Sequence, residues 1–224
     1  MWIGRHSAAG QPPSPERMER WRRRMSPPDN EFPAGLGLTV LLGHTEDVAV
    51  GITQVDAFST GFRFTLAVRV RRARAELAHG GLFTLISAHA RPGVEIPLER
   101  RLLLGIEYPD DRRASTLYDM PTPGAVAGLD DAQLVLVQQS GSGDEQSVDQ
   151  TYWVAPLPPE GPVTAVLAWP GFGIPECRTV LDGGAIRAAA ARSQVLWSPQ
   201  PRKDSSQPPP PPRPSTGWFA YPPD

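Results

Sequence analysis

The sequence predicts an all-β protein, an antiparallel β-sandwich followed by one C-terminal α-helix and framed by disordered flanks. Three observations carry this expectation. Short β-type segments succeed one another from Leu36 to Leu181, separated by turn signals about every ten residues. An alanine-rich stretch, Ala185–Trp197, then changes the periodicity to that of a helix. The prolines, 27 among 224 residues, crowd towards both ends. Such composition cannot bury enough apolar surface to offset its ordering entropy. The expected division is a flexible flank over residues 1–31, a β-sandwich with its terminal helix over 32–198, and a Pro-rich disordered tail over 199–224.

The elements follow in order. In the first flank, Ser14-Pro15-Glu16 reads as a helix start, with serine as cap, proline at the first position and an acid beside the dipole. Met18, Trp21 and Met25 then form a small apolar stripe among Arg17, Arg20, Arg22, Arg23 and Arg24. This is either a basic helix for an acidic surface or a short solvated helix. The first strand is expected over Leu36–Leu42 and the second over Val48–Val55. The third is the clearest. Phe62, Phe64, Leu66, Val68 and Val70 share one face, while Arg63, Thr65, Ala67, Arg69 and Arg71 share the other. Ser59-Thr60-Gly61 has the chemistry of a hairpin turn between them.

Residues 73–98 are ambiguous, with a short apolar run at Leu82–Ile86. Strands resume at Leu102–Tyr108, with Arg113–Thr116 as a brief hairpin partner, and Met120–Leu129 reads as a loop. Leu134–Gln139 and Val148–Ala155 follow, joined by the polar tip Ser140–Glu145. Val163–Trp169 and Cys177–Leu181 complete the set. In the helix, Asp182 is the expected cap, and Ile186 and Trp197 are the expected docking residues.

The function classes narrow mainly by exclusion. With 22 basic and 24 acidic residues, the net charge of −2 gives no global field for a nucleic acid, and none is expected as a partner. Lys203 is the only lysine and Asn30 the only asparagine, a skew that fits a GC-rich coding sequence. Cys177 stands alone, which excludes an intrachain disulfide and a cysteine metal site. No run approaches the roughly 18 apolar residues of a membrane span. No signal-peptide pattern opens the chain either, so the expected compartment is the cytoplasm.

No G-x-S-x-G elbow, P-loop, H-E-x-x-H or dinucleotide loop is present, so no catalytic, cofactor-binding or metal residue is assigned and no cofactor is expected. His6, His44, His79 and His89 are scattered; His79 and His89 could approach each other and, with His44, form a metal site or a base with Asp110, but three histidines on separate loops more often share nothing. Asp144, Glu145 and Asp149 cluster at a hairpin tip, the composition of a weak calcium site but more ordinarily of solvated charge.

Two features have the composition of contact surfaces. Trp169-Pro170-Gly171-Phe172-Gly173-Ile174-Pro175-Glu176 would bring Trp169, Phe172 and Trp153 to one loop end, as an aromatic patch or as core. The tail run Pro208–Pro214 favours polyproline II, with Pro210, Arg213 and Trp218 as contact residues. The candidate contact set is therefore Trp169, Phe172, Glu176, Pro210, Arg213 and Trp218. The expected function is a non-catalytic binding or scaffolding module with an unidentified protein partner. The alternative is a small enzyme, or a carbohydrate- or small-ligand-binding domain, using the end around Trp169 and Phe172.

The strings Gly61-Phe62-Arg63-Phe64-Thr65-Leu66, Leu104-Gly105-Ile106-Glu107-Tyr108-Pro109-Asp110, Pro156-Leu157-Pro158-Pro159 and Trp169-Pro170-Gly171-Phe172-Gly173-Ile174 resemble a group of hypothetical proteins of GC-rich bacteria. The likeness runs from about Leu36 to Trp197 and leaves out both flanks. It implies a small cytoplasmic protein with an immunoglobulin-like sandwich, and it carries over no activity and no catalytic residue.

Overall fold

Alternation decides the central strands. In a computed structural model, describing residues 14–72, 81–86, 96–117 and 132–199, Phe62, Phe64, Leu66, Val68 and Val70 are all buried. They lie on β5 (Gly61–Val70), which pairs antiparallel with β4 (Val48–Phe58) through the two-residue turn Ser59–Thr60. On its other side β5 pairs with β9 (Ser147–Ala155), and β9 pairs with β8 (Val135–Gly143). β2 (Ala34–Gly35) and β3 (Val40–His44) pair with the two ends of β4 and complete a six-stranded sheet.

A second antiparallel sheet has four strands. Its order is β11 (Ile174–Asp182), β10 (Pro162–Trp169), β6 (Leu103–Glu107) and β7 (Arg113–Ser115). One buried cluster unites inward side chains of both sheets, among them Val50, Phe64 and Leu66 from the first and Leu104, Ile106, Val163 and Leu167 from the second. Tyr152 stacks on Phe64 within it, with ring centroids 5.5 Å apart. The Tyr152 hydroxyl is buried without a hydrogen-bond partner among the described residues, and that desolvation raises its pKa far above the ordinary tyrosine range.

The described residues form three short α-helices. α1 (Pro15–Arg24) forms where the Ser-Pro-Glu start predicts it. α2 (Gly81–Ile86) resolves the ambiguous run Leu82–Ile86 as helix, burying Leu82, Leu85 and Ile86. α3 (Gly183–Ala190) is capped as expected, since the Asp182 carboxylate accepts from the Ala185 N–H at 3.0 Å, and Ile186 is fully buried.

The expectation that α3 runs to Trp197 and docks through it is corrected. Its last N–H groups close one-turn contacts at Ala191, Arg192 and Ser193. The chain then turns extended as β12 (Gln194–Val195), because β1 (Glu31–Phe32) offers backbone partners there. Leu196 N–H donates to the Asn30 carbonyl, and the Asn30 amide donates to the Trp197 carbonyl at 2.6 Å. Trp197 is left 56% exposed, a surface residue and not an anchor.

A second correction concerns the tip expected at Ser140–Glu145. β8 continues to Gly143, with a bulge between Gln138 and Gly141 that re-aims the strand. The turn falls at Asp144, whose carboxylate accepts from the N–H groups of Gln146 and Ser147, both at 2.8 Å. No helix among the described residues is long and apolar enough to cross a membrane.

Candidate functional site

The residues expected to form an aromatic contact patch divide between two places. Trp169 closes β10 and is fully buried, and the Phe172 ring lies against it with centroids 4.0 Å apart. Pro170–Phe172 forms a single 3-10 turn, which Gly173 ends in the left-handed region at φ 74°. That turn folds Phe172 inward, and the Trp169 indole N–H donates to the Arg100 carbonyl at 2.9 Å. The loop end is plugged by its own rings. Trp153 belongs to a different cluster on the outward face of the six-stranded sheet, beneath α1. Of the trio, Trp169 and Phe172 meet and Trp153 does not.

Glu176 remains at the surface and leads to the groove the sequence reading missed. The outward face of the four-stranded sheet has its side chains in register. Arg178 on β11 stands opposite Val166 on β10, Val166 opposite Gly105 on β6, and Gly105 opposite Ser115 on β7. Gly105 has no side chain, so this row sinks in the middle. The result is an open groove of about 380 Å³ with Leu103, Val166, Ala168 and Leu117 among its lining residues. Glu107 stands beside the trough. It accepts from Arg178 at 2.9 Å and from Arg113 at 3.1 Å, while Glu176 lies 3.9 Å from Arg178. The hydrogen bond from Arg178, seconded by the Arg113 charge, holds the Glu107 carboxyl below its ordinary range against a smaller opposing desolvation.

This arrangement offers an apolar floor beside a rim of alternating charge. Its acids and bases are paired with one another. Sequence contained one usable signal. Val163-Thr164-Ala165-Val166-Leu167-Ala168-Trp169 is apolar at both parities, as is Leu102-Leu103-Leu104, so each strand carries apolar groups on its outward face too.

The remaining candidates lie elsewhere. Pro210, Arg213 and Trp218, with His6, His79 and His89, fall outside the described residues. His44 is exposed on β3. Asp110 is engaged by Arg112 at 2.7 Å, which holds its carboxyl low, and is therefore committed to an ion pair. Asp144 closes its own turn and Asp149 pairs with Arg69 at 2.8 Å. No group of three or more possible metal ligands comes together among the described residues. The Cys177 thiol is half-buried and donates to the Pro175 carbonyl at 3.3 Å.

Set against known protein families, curated proteins and solved structures, the chain matches none.

Proposed function

We propose that the chain is a non-catalytic protein-binding module, built on an immunoglobulin-like β-sandwich, whose partner lies in the groove on the four-stranded sheet. The sandwich reading draws support from connectivity. Successive hairpins alternate between the two sheets: β4–β5 in the first, β6–β7 in the second, β8–β9 in the first, β10–β11 in the second. Distant hairpins then pair, β5 with β9 and β6 with β10, as Greek-key sandwiches do.

The observation that carries the binding reading is the outward trough of Leu103, Val166 and Ala168 beside the Glu107–Arg113–Arg178 triad. An apolar floor beside polar groups is the composition of a recognition surface, where apolar contact gives affinity and charge gives register. A segment that lays an apolar side chain over Gly105 and meets the arginines with an acid fits it.

The test is affinity capture from native lysate with the full chain and with Val166→Asp in parallel. Val166 is half-buried, so a charge there spoils the floor without entering the core. A protein retained by the wild type and lost from an equally stable Val166→Asp chain supports the reading. Identical recovery by both chains, or none, refutes it.

A further inference from the structure

We infer that the outward face of β8 and β9 is a second docking site, specific for a short helix, and that α1 occupies it as an exchangeable internal ligand. The partner it fits is an amphipathic helix with a large aromatic residue, a flexible apolar residue four positions later, and free carbonyls in its last turn. This inference concerns a face distinct from the groove and stands whether or not the groove binds a protein.

The apolar cluster under α1 is separate from the main core. It consists of Phe58, Val135, Val137, Trp153 and Ala155 on the sheet, with Met25 just past the end of α1 and Trp21 packed against them. Pairing places Val137 opposite Trp153 and Val135 opposite Ala155. On the same outward side β5 and β9 elsewhere carry Thr65, Arg69, Asp149 and Thr151, so this apolar area interrupts a polar face. An apolar patch of that kind needs a cover.

The cover is read by its backbone as well as its side chains. The Trp153 indole N–H donates to the Arg24 carbonyl at 2.9 Å, and the Gln139 amide donates to the Met25 carbonyl at 3.2 Å. Helix ends leave their final carbonyls without intrahelical partners, and here the sheet supplies two donors to that end. Trp21 and Met25, four residues apart, enter the apolar area from one side of the helix, the anchor spacing of helix-in-groove recognition.

Several features make α1 a modest ligand for its own site. Among the described side chains, Trp21 on α1 and Met25 just past its end are the ones that meet the apolar area. The Trp21 indole N–H is buried with no acceptor among the described residues, which weakens the contact. Its neighbours include Arg20 and Arg23 at the surface. The connection to the sheet passes through Ser26-Pro27-Pro28-Asp29, so the helix is tethered by a short proline link and not continuous with a strand. A tethered ligand competes through effective concentration, and a partner helix that satisfies the open contacts displaces it.

The probe is a labelled peptide of residues 14–26, with a control peptide in which Trp21 and Met25 are both alanine. The full chain carrying Trp21→Ala and Met25→Ala, whose internal helix is weakened, is expected to bind the wild-type peptide at least about tenfold more tightly than the wild-type chain does. The control peptide is expected to bind neither. Equal affinities, no binding to either chain, or equal binding of both peptides overturns the inference. Hydrogen exchange on the unmodified full chain tests it without any variant. The α1 amides are expected to exchange at least about a hundredfold faster than those of β9, and equal protection overturns it. A concentration-dependent dimer of the wild type would assign the site to the α1 of a second copy and overturn the partner reading.

Discussion

Replacing Trp169 by alanine separates a plugged loop end from an open one. Trp169 is fully buried, its ring lies 4.0 Å from that of Phe172, and its N–H donates to the Arg100 carbonyl. A buried tryptophan removes roughly 150–250 Å² from water, which at about 25 cal/mol per Å² is worth roughly 4–6 kcal/mol as an upper bound. Measured truncations of buried aromatics run at about 3–5 kcal/mol, and the Arg100 carbonyl also loses its donor. In a domain of this size each kcal/mol moves the melting point by about 2–4 °C, so Trp169→Ala is expected to lower Tm by roughly 6–20 °C. Trp169→Phe keeps much of the ring and should lose only about 1–3 kcal/mol, mostly through the unpaired carbonyl. The assay is thermal and urea unfolding of the full chain, followed by far-UV circular dichroism. A surface ring would change stability by about 0.5 kcal/mol or less. A Tm shift below about 2 °C for Trp169→Ala would therefore refute the plugged end and return Trp169 to the surface.

Three further outcomes follow from the same packing. The buried Tyr108 hydroxyl donates to the Pro156 carbonyl at 2.6 Å, so Tyr108→Phe is expected to cost about 1–3 kcal/mol in urea unfolding, and an unchanged midpoint would contradict it. A side chain at Gly61 would run into the Val154 carbonyl oxygen and come within 2.7 Å of the Trp153 ring, so Gly61→Ala should destabilise by about 1–3 kcal/mol or more, read as a lowered Tm. Glu107 has a folded pKa below its unfolded one, so its ion pairs stabilise at neutral pH and that contribution fades as pH falls through the folded value. Glu107→Gln should therefore flatten the acid limb of the stability curve, and urea titrations from about pH 7 to about pH 3 should show identical slopes only if the triad contributes nothing.

What could be read from sequence was whatever local spacing determines. Phe62, Phe64, Leu66, Val68 and Val70 fall at every second position, and all five are buried on β5, with Ala67 the one buried residue of the opposite face between them. Asp182 sits directly before Gly183, and its side chain caps α3 as residue type and position require. Trp197 shows where this reasoning stops. Its helical spacing from Ile186 is sound, but β1, more than 160 residues earlier, offers an extended partner that ends the helix seven residues short. The bulge at Gln139–Ser140 was hidden for a similar reason, because a register shift belongs to the pair of strands and not to either one. The groove escaped because its elements are ordinary singly. Leu103, Val166 and Glu107 acquire meaning only when antiparallel register aligns three strands.

The same limit bears on both proposed surfaces. Each depends on outward-facing residues of strands whose inward faces already fill the core, so neither is needed to specify the fold. Val166 and Ala168 are apolar where a solvated strand would carry polar groups, and Val135, Val137 and Trp153 are apolar on the face that α1 covers. The physical difference between the two is coverage. The groove is open, so its apolar floor is in contact with water and gains by any partner that removes it. The β8–β9 face is covered, so a partner there gains only the margin by which its helix exceeds α1 in contact and in satisfied hydrogen bonds, less the advantage that the Pro27–Pro28 tether gives the resident. Binding at the groove should therefore be insensitive to changes in Trp21 and Met25, whereas binding at the helix face should strengthen as those two residues are trimmed. Opposite responses to one pair of substitutions are what distinguish a permanently exposed surface from one guarded by its own chain.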